Sequence, residues 1–293
     1  MRVLITGTST GIGLATAVEL ARAGHTVFAT MRNPSRAPQL GEIVAQERLP
    51  ASILAMDVDC DQSVNEVVGE LHKKGGAIDV LINNAGIERI GTIEELPMEA
   101  FRSVMETNYF GALRCIRAVV PAMREDRRGC IINVTSVAGR IALSPMGPYT
   151  ASKWAMEALS EVLAQELRPF NIRVAIVQPG IIDTPMARRV ETPPQASLYP
   201  HGYRVAGMFR AALAVSRPPS IVAQKIREII ESGTWKLRHP AGPDGEAFLG
   251  WRASMSDDEW IEWGALDDDT WYARVEQDFG LNARDAKAKI VSG

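Results

Sequence analysis

Arg2-Val3-Leu4-Ile5-Thr6-Gly7-Thr8-Ser9-Thr10-Gly11-Ile12-Gly13 opens the chain and decides how the rest is read. Residues 2–6 end in a continuous apolar run, too short for a signal-peptide core or a membrane span. Glycines at 7, 11 and 13 follow, and a helical pattern runs from Ile12 to Ala23 before stopping at Gly24. Gly7 and Gly11 allow a tight turn and close backbone approach to a phosphate. Gly13 lets the helix pack on the strand, and the free N–H groups of its first turn offer themselves to an anion.

Working outward, apolar stretches recur at 25–31, 51–58, 79–84, 130–136 and 172–178. Helical patterns at about 61–74, 98–125 and 149–168 lie between them. Fully apolar strands separated by helices predict a parallel sheet covered on both faces. The expected fold class is therefore α/β: a doubly wound parallel sheet in three layers, the Rossmann arrangement, as a single domain with a C-terminal extension. Residues 181–220 change character, with many prolines and large apolar side chains. A helix at about 218–232 and a short strand at 234–238 follow.

The chain has 293 residues, 46% hydrophobic and 23% charged, with a formal net charge of −3. That composition excludes a disordered chain and a small disulfide scaffold, and makes nucleic acid a poor partner. Cys60, Cys115 and Cys130 form no CxxC, and the four histidines are scattered, so no metal site is expected. With no targeting segment or membrane span in the pattern, the expected location is cytoplasmic. The average charge hides a division: residues 241–293 carry net −7 and four of the six tryptophans, Trp251, Trp260, Trp263 and Trp271. Ser256 with Glu259 forms a capping box, and one of Asp267 to Asp269 can cap a second helix ending near Gly280. This tail is expected to fold, because tryptophans at helical spacing seek burial.

The second strand ends Met31-Arg32. In dinucleotide folds an acidic residue here grips the ribose 2′-hydroxyl, whereas arginine accommodates a 2′-phosphate. NADP(H) is therefore favoured over NAD(H). Tyr149 and Lys153 are one turn apart on a predicted helix and share a face, and Ser136 lies at the end of the fifth strand. A phenol titrating near 10 is a poor base at neutral pH; a neighbouring ammonium, together with the positive nicotinamide of the oxidised cofactor, is expected to lower it. Tyr149 can then exchange a proton with a substrate oxygen held by Ser136.

With these residues in place, the chain resembles the short-chain dehydrogenase/reductase superfamily, in its compact single-domain branch. The match runs through Thr6 to Gly13, Asp57 after the third strand, Asn83-Asn84-Ala85-Gly86 after the fourth and Asn108 in the long helix. It continues through Ser136, Tyr149-Thr150-Ala151-Ser152-Lys153, Pro179-Gly180 and Thr184, covering about residues 1–240. The resemblance implies a catalytic set of Asn108, Ser136, Tyr149 and Lys153. It places Gly7, Thr8, Ser9, Gly11, Ile12 and Gly13 at the pyrophosphate turn, Arg32 at the adenosine ribose, and Asp57 with Val58 at the adenine. Asn84, Ala85 and Gly86 pass beneath the cofactor; Pro179, Gly180, Ile182 and Thr184 border the nicotinamide, and Lys153 with Tyr149 also reaches its ribose. Asn108 would bend its helix and position a water that relays protons to Lys153. Homodimers or homotetramers built on the helices at 107–125 and 150–168 are implied as well.

The resemblance divides the chain into a dinucleotide-binding catalytic domain at 1–240, with 181–215 as a substrate lid, and the acidic extension at 241–293. That extension packs on the core or on a neighbouring subunit. The expected activity is reversible reduction of a carbonyl to a secondary alcohol. Ile87, Ile90, Leu143, Pro145, Met146, Met186 and Phe209 are expected around the site, with Arg89 as the charged neighbour. Such a wall suits a hydrophobic steroid-, retinoid- or aryl-like ketone. The rival reading is a non-catalytic NADP-binding sensor or scaffold, disfavoured because such a protein has no need of Ser136, Tyr149 and Lys153 together.

Overall fold

A computed structural model describes residues 1–192, 197–215 and 217–291. Residues 193–196 of the expected lid, Ser216 and the last two residues lie outside the described residues. The first half alternates β1 (Arg2–Thr6), α1 (Gly11–Arg22), β2 (Thr26–Met31), α2 (Gln39–Glu47), β3 (Ala51–Ala55), α3 (Asp61–Gly75) and β4 (Val80–Asn83). Then come α4 (Met98–Met105), α5 (Ala112–Glu125), β5 (Gly129–Val134), α6 (Gly147–Leu167) and β6 (Ile172–Pro179). The remainder is α7 (Pro185–Val190), α8 (His201–Leu213), α9 (Ser220–Ser232), β7 (Arg238–Ala241), α10 (Gly245–Ala253), α11 (Asp257–Ala265), α12 (Asp268–Phe279) and α13 (Ala283–Val291).

The seven strands form one sheet in the order β3-β2-β1-β4-β5-β6-β7, parallel throughout. Because side chains alternate along a strand, each strand feeds two cores. Val3, Ile5, Val80, Ile82 and Ile132 join Leu20 of α1 and Ile226 of α9 on one face. Leu4, Leu81 and Ile131 join Val68 of α3, Val119 of α5 and Leu163 of α6 on the other. This is the expected doubly wound, three-layered sheet. The chain reverses its direction of travel across the sheet between β1 and β4, and such a switch point opens a crevice at the strands' C-terminal ends.

Two expectations of element placement are corrected. The helix expected over 98–125 is interrupted by a π-helical turn at Glu106–Gly111, which centres on the buried Asn108. The strand expected at 234–238 lies instead at Arg238–Ala241, in register with Ile176–Pro179 of β6. Trp235, within the expected strand, is half-exposed and stacks under the Arg168 guanidinium, 4.0 Å from ring centroid to Cζ.

The tail is folded as its tryptophan spacing predicted. Ser256 and Glu259 make both halves of the capping box, and Asp267 caps α12, which ends at Gly280. Trp260, Trp263 and Trp271 are buried in a third core with Phe248, Met208 of α8 and Ile181 from the loop after β6. Polar ties hold this core down. The Trp260 indole donates to the Ala142 carbonyl at 3.0 Å, and buried Arg204 of α8 pairs with Asp268 at 2.8 Å. Asp244 accepts the Ile181 N–H at 3.2 Å and pairs with Arg217.

Candidate active site

The β1–α1 turn is built of backbone because side chains do not fit there. Gly7 adopts φ +71°, and a Cβ at that position would stand 2.7 Å from Ala85 Cα. A Cβ on Gly13 would overlap the Gly7 carbonyl oxygen and the Asn84 amide. Asn84 closes this turn against β4, its Nδ2 donating to the carbonyls of Thr6 and Gly7 at 2.9 and 3.0 Å. One cavity of about 430 Å³ begins here. Gly7, Ser9, Gly11, Ile12 and Gly13 line its first part, with Arg32, Asp57 and Val58 beside them and Asn84, Ala85 and Gly86 below. Tyr149, Lys153, Pro179, Gly180, Ile182 and Thr184 line the continuation. A bare backbone floor, an exposed arginine and a strand-end carboxylate fit a dinucleotide.

Two residues expected at the cofactor or the chemistry stand back from this surface. Thr8 is fully buried, with its hydroxyl on the Thr30 carbonyl at 3.1 Å, and Thr10 takes the place on the cavity wall. Asn108 sits behind the wall. Its amide nitrogen donates to the Ile87 carbonyl and to Ser152 Oγ, both at 2.9 Å, while its oxygen accepts the Ile87 N–H at 2.8 Å. It thereby ties the π-helical turn to the strand-end loop and to the first turns of α6.

Ser136, Tyr149 and Lys153 come together at the centre. Pro148 in the first turn presets α6, and Tyr149 and Lys153 project from its inner face with Lys153 Nζ 5.5 Å from the phenol ring centroid. Lys153 Nζ donates to the Val134 carbonyl at 3.0 Å. Burial pulls the Lys153 ammonium down to about 8 against the opposing pull of Glu157. Burial likewise pushes Tyr149 up to about 12; the Ser136 hydroxyl beside it lowers the value, and the Glu88 carboxylate raises it. Without a bound cofactor, desolvation outweighs the Ser136 hydroxyl and the phenol stands above its ordinary value.

The charged neighbour also differs from expectation. Arg89 is exposed, while Glu88 lines the cavity, only 7% exposed in its side chain. It is gripped by Arg189 of α7 at 2.8 and 3.2 Å. The choice between 88 and 89 was set by the path of the loop after β4, which only the tertiary structure shows. Ile87, Leu143, Met146, Met186 and Phe209 line the cavity as expected. Ile90 and Pro145 do not; Ile90 packs behind Met146 and Val205. The largest wall elements were not anticipated. Phe248, Trp251, Trp260, Trp263 and Phe279, all from the tail, complete the cavity. No local pattern marks them beyond their unusual density in an acidic segment.

Thr184 caps α7, its Oγ1 accepting the Ala187 N–H at 3.1 Å while the residue borders the cavity. Asp59 also borders it; burial pushes its carboxyl up, and Thr107 donates to it at 2.9 Å.

A dinucleotide-type crevice leading to a serine, a tyrosine and a lysine defines an oxidoreductase site. The sequence profile of the short chain dehydrogenase family matches residues 1–195. An uncharacterized oxidoreductase, YusZ, of Bacillus subtilis is 35% identical over 90% of this chain and 95% of its own. A 3-ketodihydrosphingosine reductase of Bacteroides thetaiotaomicron is 41% identical over 62% of this chain; the match spans 64% of that enzyme's length. Among solved structures, a short-chain dehydrogenase from Streptomyces avermitilis superimposes with TM-score 0.76 at 30% identity, covering 90% of this chain and 96% of that one. The chain belongs to the short-chain dehydrogenase/reductase family and is an NAD(P)-dependent oxidoreductase. No described helix is long and apolar enough to cross a membrane.

Proposed function

We propose that the protein is an NADP(H)-dependent reductase of a large apolar ketone, and catalyses the reverse oxidation of the corresponding secondary alcohol. The observation that carries this reading is one continuous cavity. It is lined in turn by the glycine turn, by Ser136, Tyr149 and Lys153, and by the aromatic side chains of the tail. NADP(H) preference rests on Arg32 at the cavity edge and on Met31 where an acidic residue would select the unphosphorylated ribose. The reductase relative named for a keto substrate is in keeping with this direction.

When bound, the nicotinamide supplies the hydride that reaches the carbonyl carbon. Ser136 and Tyr149 hold the carbonyl oxygen between their hydroxyl groups. The phenol, kept protonated by burial, donates its proton to that oxygen as negative charge gathers there. Lys153 places positive charge beside the phenolate left behind. Lys153 then passes a proton to the phenolate and is itself reprotonated by water, so Tyr149 is restored. Asn108 locks the Ile87 loop to Ser152, which holds α6 in place, and the helix bend at this residue is read as positioning that water. In oxidation the phenol must first lose its proton, so that direction gains from alkaline pH.

In this reading residues 1–240 are the dinucleotide-binding catalytic domain and 181–215 its lid. Residues 241–293 are a substrate wall rather than an appendage. Phe110, Trp154 and Val162 are exposed on the helical layer of α5 and α6, as a homodimer or homotetramer built on those helices requires. A panel of ketones assayed with NADPH tests the assignment. Large apolar ketones are expected to be reduced with higher kcat/KM than small polar carbonyls. Faster turnover of the small polar compounds, or a Tyr149→Phe enzyme that remains active, overturns it.

A further inference from the structure

Tyr149, Lys153 and Glu157 follow one another at helical spacing on α6 and share one face of it. The first two line the cavity. Glu157 stands behind them and takes no part in the proton steps. It is a carboxylate only 2% exposed, and a charge so deeply buried is costly unless it is paired and hydrogen-bonded. Its Oε1 accepts the Thr135 hydroxyl at 2.8 Å and the Gln178 side-chain amide at 3.1 Å. Its Oε2 accepts Arg238 Nε at 2.8 Å.

These partners are placed where the site is built. Thr135 precedes Ser136, Gln178 precedes Pro179 and Gly180, and Arg238 opens β7. One carboxylate therefore ties the ends of β5 and β6 and the start of β7 to the helix that carries Tyr149 and Lys153. The fit is close: a Cβ on Gly139, just past Ser136, would stand 2.9 Å from Glu157 Cγ.

The same carboxylate bears on the lysine. Among the described residues, Glu157 is the charged group that acts on Lys153, opposing the burial that pulls the ammonium down. Tyr149 lies on the same helix, and Glu88, from the loop after β4, acts on that phenol. β5 presents the Val134 carbonyl at 3.0 Å. The loop after β4 and the π-helical turn present Gly86 and the uncharged Asn108; a Cβ on Gly86 would stand 3.8 Å from Lys153 Nζ and 3.3 Å from Asn108 Oδ1. From β7, Arg238 meets Glu157 and is also held by Glu161, one turn further along α6.

We propose that Glu157 is a positioning residue for the reaction. Its buried carboxylate holds the strand ends beside Ser136 against the inner face of α6, and supplies the negative charge that keeps Lys153 an ammonium beside Tyr149. Arg238 in turn keeps that carboxylate ionised. This rests on the role of Lys153 in the ketone-reductase reading.

The titration of Lys153 can be read without any substrate. The full chain is labelled with trace acetic anhydride across a range of pH, and acetylation of Lys153 is quantified by peptide mass spectrometry against a free-amine standard. Glu157→Gln keeps the shape and removes the charge, so Lys153 is expected to titrate about one pH unit lower. The alkaline fall of kcat for ketone reduction with NADPH should move down with it. An amide at this position leaves Arg238 without its buried partner, so the single variant should also lose stability. Glu157→Gln combined with Arg238→Met removes both charges; it should regain stability yet keep the lowered titration. Glu161→Gln takes away the half-exposed partner of the same arginine and should leave Lys153 as in the wild type.

The proposal is overturned if Lys153 titrates unchanged in Glu157→Gln, or if the double variant returns to the wild-type titration as its stability recovers. It is equally overturned if Glu161→Gln lowers the titration as much, or if the kcat limb stays in place while Lys153 moves. A wild-type enzyme that reduces no ketone overturns the ketone-reductase reading alone, and the labelling still decides the action of Glu157 on Lys153.

Discussion

The nucleotide side of the cavity and its aromatic side are built on opposite principles. Around Gly7, Gly13 and Asn84 the surface is backbone, and its shape follows from residues close in sequence or on adjacent strands. At the other end Trp251, Trp260, Trp263 and Phe279 come from three helices that share no recognisable binding motif, and they are held by packing on one another. The first surface suits a ligand of constant chemistry. The second can be redrawn by changing side chains without disturbing the sheet. Sites with a fixed cofactor and a variable substrate separate these tasks because a close backbone approach leaves no room for side chains, whereas cavity-facing aromatic residues set shape by their own size.

Several substitutions would break or sharpen that division. The largest effect is expected at the junction: Tyr149→Phe removes the proton donor and should lower kcat by about 10²–10⁴-fold. NADPH affinity, read by fluorescence titration, should stay close to that of the wild type. Loss of cofactor binding in that variant would merge the two sides into one unit. Trp271→Ala empties the centre of the tail core, where the ring is 2% exposed. It should cost about 3–5 kcal/mol in denaturant unfolding. If the tail unfolds alone, the unfolding curve should become biphasic while NADPH binding survives.

A smaller effect, confined to the nucleotide side, is expected from Arg32→Ala. Removing a charged partner of the 2′-phosphate is worth about 1.5–3 kcal/mol, so the kcat/KM preference for NADPH over NADH should fall roughly tenfold or more. Activity with NADH itself should change little. Ser256→Ala removes one half of an exposed capping box and should lower stability by only about 1 kcal/mol, read as a modest fall in Tm.

The pH dependence tests the boundary between the two sides. Tyr149 is raised above its ordinary value, so alcohol oxidation should gain as pH rises toward its titration while ketone reduction is sustained at neutral pH and falls above it. Glu88 raises that value further. Glu88→Gln removes the negative charge and should move the alkaline limb of the oxidation profile to lower pH; an unmoved or oppositely shifted limb would dissociate Glu88 from the phenol. For folding, the sign at Lys153 is opposite to that of a paired lysine. Its pKa falls from 10.5 to about 8 in the fold, so the unfolded chain binds the proton first. This group's contribution to stability therefore declines as pH drops from about 10.5 to about 8 and is flat below.

Much of the nucleotide side was readable in the linear chain. The glycine spacing, the strand periodicity and the i, i+4 pair of Tyr149 and Lys153 are local relations, and local geometry reproduces them. Thr8 shows the limit of even that reading: it lies inside the glycine turn, yet its hydroxyl bonds the Thr30 carbonyl, away from the cavity. The path of the loop after β4 likewise separates Glu88, on the cavity wall, from exposed Arg89. The tail was legible only as a folded, capped, aromatic segment; its position against the cavity was not.

By itself, then, the amino-acid sequence determined the doubly wound sheet, the glycine turn and the family. Each depends on backbone preference or short spacing, which survive without knowledge of distant contacts. Only the tertiary structure decided that the tail's aromatic side chains line the cavity, that Glu88 and Arg189 border it, and that the Tyr149 phenol is desolvated. Burial sets all three, and burial is a sum over residues far apart in the chain.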